Sequence, residues 1–595
     1  MKFLFRVSFI ISFLTIAFFF LKLFLSPIFI SESVIFPYSL NPFDICIKHP
    51  VAWEYIKIFY IFFFTFSTII ISNSIFNLFF KNIKFSKKEK IESETNSLNI
   101  YIGNDDKTNK KIYLPEKGLY QNLLITGTIG SGKTSSAMYP FTKQLIGYKA
   151  DDINKKLGML ILDVKGNFYK KVKEYSYFYN RKKDLIIIEL GSNVKYNPLN
   201  KKYLKPSVLA NRLKTVLMLF STNNSDSYWL DKLEQTLTEA IKLCRLYNNG
   251  YVTFEELHKI INDESYLNNK LKNLKIAFQH NKLSEKNVYD LKTSIDFFYN
   301  EFFKLDSRVS SIIKSEISRI TSVFVNDLDV LKTFCPQEKE ISFNGFSDVI
   351  QNGKIVVLNM NIAQYRNLSK IIATYLKLDF QSEVIYNISK KRAKPCVFIS
   401  DEFHEYITCS DADFFAQSRE GKCINIVATQ SYSSILNTLK DPTATRTIIQ
   451  NLVNKLWFRT DDIYTIEDAQ KQLGKEDKTK ISKSISENAK ETKYDYFINS
   501  LKSTDSNISE SISTYVQNDF IYSINFFTQQ LESFSCLGFL SNGSSIFPPC
   551  KIKLIPYFKQ DYKQEKNQIN TLQKQKNTTS RNSNNYQKKF LKKGV

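Results

Sequence analysis

The sequence predicts an α/β fold: a buried, mostly parallel sheet with an inserted all-α domain and two N-terminal transmembrane helices. Three observations predict it. Seven short apolar runs alternate with polar turns and helix-like stretches between residues 123 and 458, the pattern of parallel strands covered on both faces. One of those runs opens into a glycine-rich turn, Gly127-Thr-Ile-Gly-Ser-Gly-Lys-Thr134. Two long apolar runs lie near the N-terminus, each long enough to cross roughly 30 Å of hydrocarbon.

Residues 1–90 read as a membrane domain with spans at about 7–25 and 58–80. The first run, Val7 to Leu25, is broken only by Lys22, whose place near the outer end lets it snorkel. The second, Ile58 to Phe80, carries no charge. A cleaved signal peptide is the rival reading, but no small-x-small site follows the first run and a second span does. Lys2 and Arg6 precede the first span, and Lys81, Lys84, Lys87, Lys88 and Lys90 follow the second; the loop between holds only Lys48 and Lys57 beside Glu32, Asp44 and Glu54. The positive-inside rule then gives a multi-pass protein of the cell membrane, with both termini and the bulk of the chain in the cytoplasm.

Residues 91–204 read as the first part of a nucleotide-binding domain. The glycine-rich turn fits Gly-x4-Gly-Lys-Ser/Thr, and its candidate phosphate-binding residues are Gly127, Thr128, Gly130, Ser131, Gly132, Lys133, Thr134 and Ser135. The chemistry requires these types: small residues let backbone N–H groups curl around a phosphate, Lys133 reaches the β and γ phosphates, and the Thr134 hydroxyl ligates Mg²⁺. ATP and Mg²⁺ are the cofactors this pattern implies. The alternative reading is a plain glycine-rich surface turn, which flanking strand and helix do not by themselves exclude.

The seven strand candidates are Leu123–Thr126, Leu157–Asp163, Leu185–Leu190, Lys354–Met360, Cys396–Ser400, Ile424–Thr429 and Val453–Phe458. Cys396–Ser400 closes on Asp401-Glu402, as a Walker B strand does: Asp401 would hold Mg²⁺ through water, and Glu402 would orient or deprotonate the attacking water. An acid after a strand also often caps the next helix, so the pair takes its weight from the loop upstream. Two readings stand for Arg419, a finger reaching the γ-phosphate of a neighbouring subunit and an ordinary surface arginine. Two also stand for Gln430, a reporter of nucleotide state and a helix cap.

Residues 205–310 change character: Trp229–Leu243, Glu255–Ile261 and Val288–Phe302 carry apolar residues at a period near 3.6, as an all-α insertion would. Residues 311–475 read as the second part of the nucleotide-binding domain. Residues 476–516, rich in Ser, Lys, Asn and Glu, read as a mobile linker. Residues 517–561 read as strands returning to the motor, with Asn542-Gly543 as a hairpin turn and an edge strand at Lys551–Ile555. The tail 562–595 reads as disordered and basic, either a loose hold on DNA or anionic lipid or a solubilising extension.

The net charge of +24 is uneven: the tail holds nine Lys and Arg against one Glu, and residues 81–90 hold five Lys against one Glu. Such a balance suits nucleic acid or anionic lipid as partner. Eight scattered Cys without a CxxC, and only four His, argue against a disulfide framework or a zinc site.

Two spans, the phosphate loop, Asp163-Val-Lys165-Gly166, Tyr196-Asn-Pro-Leu199, a helical insertion, Ile399-Ser-Asp-Glu-Phe403, Arg419 and Gln430-Ser431 occur in that order. Together they resemble the coupling proteins of type IV secretion and conjugation, the TraG/TraD-like ATPases. The resemblance implies a RecA-like P-loop NTPase, a homo-hexameric ring at the inner membrane face that passes single-stranded DNA with its relaxase to the type IV secretion channel proteins. By it, Lys133, Asp401, Glu402, Arg419 and Gln430 take catalytic roles, Thr134 and Asp401 hold the metal, and Trp229 and its neighbours belong to a substrate-recognition domain. Asn167, where relatives often carry an acid, and His404-Glu-Tyr, where they carry small residues, depart from the pattern. The alternatives are a translocase for protein effectors or double-stranded DNA, and an ATP-binding docking platform that does not hydrolyse.

Overall fold

A computed structural model describes residues 97–163, 165–220, 227–280, 284–487, 492–495, 500–503 and 508–559, with the isolated positions 51, 55 and 66. The expected spans at 7–25 and 58–80 and the tail 562–595 lie outside these residues. Among the described residues no helix is long and apolar enough to cross a membrane. The described residues from Ser97 to Lys559 fall within one compact unit.

The strands, in chain order, are β1 (Asn99–Asp105), β2 (Lys111–Pro115), β3 (Leu123–Thr126), β4 (Gly158–Leu162), β5 (Leu185–Ile188), β6 (Ile355–Leu358), β7 (Cys396–Ser400), β8 (Cys423–Thr429), β9 (Asn454–Phe458), β10 (Lys475–Glu487), β11 (Thr492–Asp495), β12 (Ser500–Ser503), β13 (Ile508–Phe520), β14 (Ser535–Phe539) and β15 (Cys550–Lys553). The motor sheet has eleven of them in the order β2-β1-β15-β14-β9-β3-β8-β7-β4-β6-β5. The seven strands read from apolar runs are β3 to β9, and every pairing among them is parallel. Successive side chains point to opposite faces, so Leu124, Leu160, Val356 and Phe398 enter one core while Ile125, Ile161, Val357 and Ile399 enter the other. Both faces being covered, β3, β4, β6, β7, β8 and β9 are buried throughout and show no polar alternation.

Helices fill the chain between β5 and β6, among them Ser227–Tyr247, Phe254–Asn262 and Glu285–Asp296 over the three stretches of helical period. They continue past residue 310, where the insertion was expected to end. Ser307–Val325 and Phe346–Asn352 follow, and Phe324 stacks on Phe254 with ring centroids 3.9 Å apart. Ile313, Ile317, Ile320 and Phe324 are buried on one side of Ser307–Val325, which ties that helix to the earlier ones. The Tyr196-Asn-Pro-Leu199 motif anchors this bundle: the Tyr196 hydroxyl donates to Asp379 Oδ2 (2.7 Å) and the Asn197 amide to the Val252 carbonyl (2.8 Å). Lys201 and Arg212 pair with the same carboxylate at 2.9 and 3.3 Å.

Two expectations for the carboxyl end are corrected. Within 476–516, expected as a mobile linker, the described residues form strands: β10 and β13 pair antiparallel from Lys475–Phe520 to Glu487–Ile508, and β11 pairs with β12. The register puts Ile481, Ile485, Ile512 and Val516 on one face, an alternation that the intervening Ser and Lys dilute below notice in composition. The Lys551–Ile555 stretch is not an edge strand, because β15 is flanked by β14 on one side and β1 on the other. The β1–β2 hairpin supplies that extension, and its half-polar pattern gave no strand signal in the sequence. Beyond β14 the chain turns at Asn542-Gly543, with Asn542 N–H donating to the Ser545 carbonyl (3.0 Å).

Because β14 pairs with β9, the carboxyl segment is part of the motor sheet. Leu537, fully buried opposite Trp457, is expected to cost about 2–5 kcal/mol when replaced by Ala, measured by chemical denaturation.

Candidate functional site

The loop after β3 owes its shape to two glycines. A Cβ on Gly127 would meet the Phe458 Cβ at 2.6 Å. Gly132 has φ +98°, and a Cβ there would meet the Phe534 ring at 2.6 Å. The loop is tied down by neighbours distant in sequence: Gly127 N–H donates to the Gln430 carbonyl (3.1 Å), Thr128 N–H to the Arg459 carbonyl (2.8 Å), and Phe534 N–H to the Ser131 carbonyl (3.1 Å). Ser131 Oγ donates to the Thr128 carbonyl (2.7 Å) and Ser135 Oγ to the Gly132 carbonyl (3.2 Å). Gly130 stands at the exposed tip. A helix then opens, its first turn Lys133–Met138 wide and continuing into Tyr139–Gly147.

Lys133 folds back over the loop, its ammonium donating to the Gly127 and Thr128 carbonyls. Burial lowers its pKa against the pull of Glu402 and Asp401. Thr134 Oγ1 donates to Asp401 Oδ2 at 2.8 Å, so the hydroxyl of the loop and the carboxylate closing β7 meet directly. Burial foremost, then the charges of Glu402 and Asp163, push Asp401 up to about 6. A hydroxyl and a carboxylate in a crowded acidic pocket are hard oxygen donors of the kind Mg²⁺ takes, and Mg²⁺ needs only one or two such protein ligands beside phosphate and water. Among the described residues no cluster of three His, Cys, Asp or Glu offers an all-protein cage.

Glu402 takes a left-handed backbone (φ +51°) just past β7. Its carboxylate is held from two sides: Oε1 by Lys165 Nζ at 3.3 Å, Oε2 by Gln430 Nε2 at 3.4 Å. His404 Nδ1 lies 3.8 Å from the same Oε2 and 3.1 Å from Thr429 Oγ1, and burial lowers its pKa against the pull of Glu402 and Glu405. Lys165 reaches Glu402 because Asp163 accepts from the backbone N–H groups of Lys165, Asn167 and Phe168 at 3.0, 2.8 and 2.9 Å, which fixes the turn. Asp401 and Glu402 outweigh partial burial and raise the Lys165 pKa.

The fold therefore gathers the loop residues 127–135, Asp401, Glu402 and Gln430. Gln430 bonds both the loop and Glu402, and the helix cap after β8 is Ser431, whose Oγ accepts from Ser434 N–H. Arg419 is not gathered in: exposed, it precedes β8, whereas the loop meets the far end of that strand, where Thr126 is opposite Thr429. Seven residues of strand separate the two, roughly 20 Å. Lys165, His404, Arg459 and Phe534 were not among the residues singled out for the site. The Asp-x-Lys-Gly motif was a visible signal for Lys165; nothing local marks Phe534, which arrives from the carboxyl segment.

The family model described as the type IV secretion-system coupling protein DNA-binding domain matches residues 108–511. Among solved structures, the unbound bacterial conjugative coupling protein TrwBdeltaN70 shares 12% identity over 75% of this chain and 87% of that one, with a TM-score of 0.50, a likeness of fold. Plasmid coupling protein TrwB in complex with ADP and Mg²⁺ shares 12% over 74% and 87%, TM-score 0.49. VirB4 of Thermoanaerobacter pseudethanolicus shares 12% over 78% and 97%, TM-score 0.45. No curated protein matches the sequence.

The contact at Gly132 gives a test. Gly132→Ala is expected to destabilise the protein by about 1–3 kcal/mol through its left-handed backbone and its clash with Phe534. In thermal denaturation the double variant with Phe534→Ala should lose less than the two single losses added, because removing the ring relieves the clash but leaves the backbone strain.

Proposed function

Because the chain belongs to the type IV secretion-system coupling protein family, we propose that it is a membrane-anchored ATPase that couples a relaxase-bound single DNA strand to a secretion channel and drives its transfer. The observation that carries the hydrolytic part of this reading is the 2.8 Å hydrogen bond from Thr134 to Asp401. It supports hydrolysis because a carboxylate from β7 stands beside the loop, where a docking platform would need only the loop.

In the proposed mechanism Gly127 to Thr134 wrap the phosphates of ATP with backbone N–H groups, and Lys133 exchanges its carbonyl partners for phosphate oxygens. Thr134 and Asp401 would hold Mg²⁺, and the ion when bound would supply charge neutralisation at the phosphates. Glu402 accepts the proton of the attacking water. Lys165 and Gln430 hold the two oxygens of that carboxylate in position. Gln430 also feels the loop through its backbone carbonyl, which suits it to report the nucleotide's state along β8. Arg419, at the opposite end of β8 from its own loop, serves the site of a neighbouring subunit in a homo-hexameric ring. The two N-terminal spans at about 7–25 and 58–80 hold that ring at the cytoplasmic face of the cell membrane.

ATP turnover of the purified protein with and without single-stranded DNA tests the reading. Glu402→Gln should lower kcat by about 10²–10⁴-fold with little change in KM, and Lys133→Ala should abolish both basal and DNA-stimulated turnover. Turnover indifferent to every nucleic acid would point instead to protein cargo. Arg419→Ala and Lys133→Ala should each be inactive alone, and mixing them should restore part of the activity, since a mixed ring pairs an intact loop with an intact arginine from its neighbour. No recovery on mixing would exclude a finger acting between subunits.

A further inference from the structure

Lys455 stands in the interior of the motor sheet, opposite Leu124 of β3 on one side and Phe539 of β14 on the other. It is 3% exposed. Two other buried lysines have acidic partners: Lys377 pairs with Asp411, and Lys201 with Asp379. Among the described residues the Lys455 ammonium has no hydrogen bond and no ion pair; it lies 5.9 Å from the centroid of the Phe539 ring. A charge taken from water without a partner is costly, so an unpaired ammonium in a central strand calls for an anion from elsewhere.

Lys455 lines a pocket of about 430 Å³ between the helices Pro442–Asn451 and Ile463–Leu473 and the end of β14, within the range of small-ligand sites. Arg446 stands at its rim, exposed and, among the described residues, without a partner. Lys471, also at the rim, has only a loose 3.7 Å pair with exposed Glu467. Asp468 is the one acid that lines it. Tyr464 and Phe539 give it two aromatic walls. Burial pushes Lys455 down to about 8, with Asp468 opposing; a bound anion would raise it again.

We propose that this pocket binds one phosphate-bearing nucleotide unit, with Lys455 and Arg446 on the phosphate and Tyr464 and Phe539 against the base. A basic floor beneath aromatic walls is how single-stranded nucleic acid is held without sequence preference. The inference rests on the proposed handling of DNA for one of its two sources, a DNA strand; the other is a free mononucleotide, and the chemistry is the same. The site is separate from the ATP loop. Lys455 is the second residue of β9, whereas Phe458 and Arg459, at and just past the strand's other end, touch the loop.

The test uses the full chain, a ten-residue oligothymidylate, and thymidine monophosphate as the free form. Lys455→Met keeps the volume and removes the charge. It should weaken oligothymidylate binding and reduce the steepness of its salt dependence by about 0.7 in log–log slope, the share of one phosphate. It should leave basal ATP turnover unchanged and the melting temperature equal or higher, because an unpaired buried charge is gone. Arg446→Gln, on an exposed helix face, should weaken binding in the same direction. If both variants bind the strand and the mononucleotide as wild type does, the pocket is not a phosphate site, even where wild-type turnover is still stimulated by DNA. If wild type binds no oligothymidylate but binds thymidine monophosphate in a way that Lys455→Met abolishes, the pocket stands as a free-nucleotide site and the DNA reading falls separately.

Discussion

The hydrogen bond from Thr134 to Asp401 joins residues 267 positions apart in the chain, and the arrangement of the site depends on it. Strand register makes it possible. β3 and β7 both flank β8, with Thr126 opposite Thr429 and Ser400 opposite Val427. Since the three strands are parallel, their carboxyl ends finish on one edge, and the loops leaving them must converge there. A slip of one residue in either pairing would turn the side chains to the wrong face.

Strand polarity also divides the sheet into two working edges. The carboxyl edge carries the phosphate loop, Asp401, Glu402 and Gln430; the amino edge carries Arg419 before β8 and Lys455 at the start of β9. β8 and β9 each run from one edge to the other as fully buried, hydrogen-bonded rods. A change at the loop, felt through the Gln430 and Arg459 carbonyls, therefore has two stiff routes to groups roughly 10–20 Å away. This geometry links the loop mechanically to groups it does not touch.

Polar residues hold the site in shape as much as apolar packing does. Asp163 satisfies three backbone N–H groups so that Lys165 can stand beside Glu402, and the Glu402 carboxylate is held at both oxygens. Buried polar groups need such partners. Here the partners come from β4, β7 and β8, which explains why three separate motifs of the sequence meet within hydrogen-bonding reach.

Much of this was legible beforehand because it is local chemistry. A strand buried on both faces has to be a continuous apolar run, so β3 to β9 announced themselves, and a phosphate loop has to be glycine-rich and end in Lys-Thr. The ribbon of β10 and β13 escaped because its apolar face alternates with Ser and Lys, and β1 and β2 because their burial is partial. By itself the sequence determined which segments form the parallel strands β3 to β9 and which side chains are candidates for phosphate and metal. Only the tertiary structure decided the strand order, the placing of Phe534 against Gly132, the distance of Arg419 from its own loop and the isolation of the Lys455 charge, because each depends on pairings between segments tens to hundreds of residues apart that no local pattern encodes.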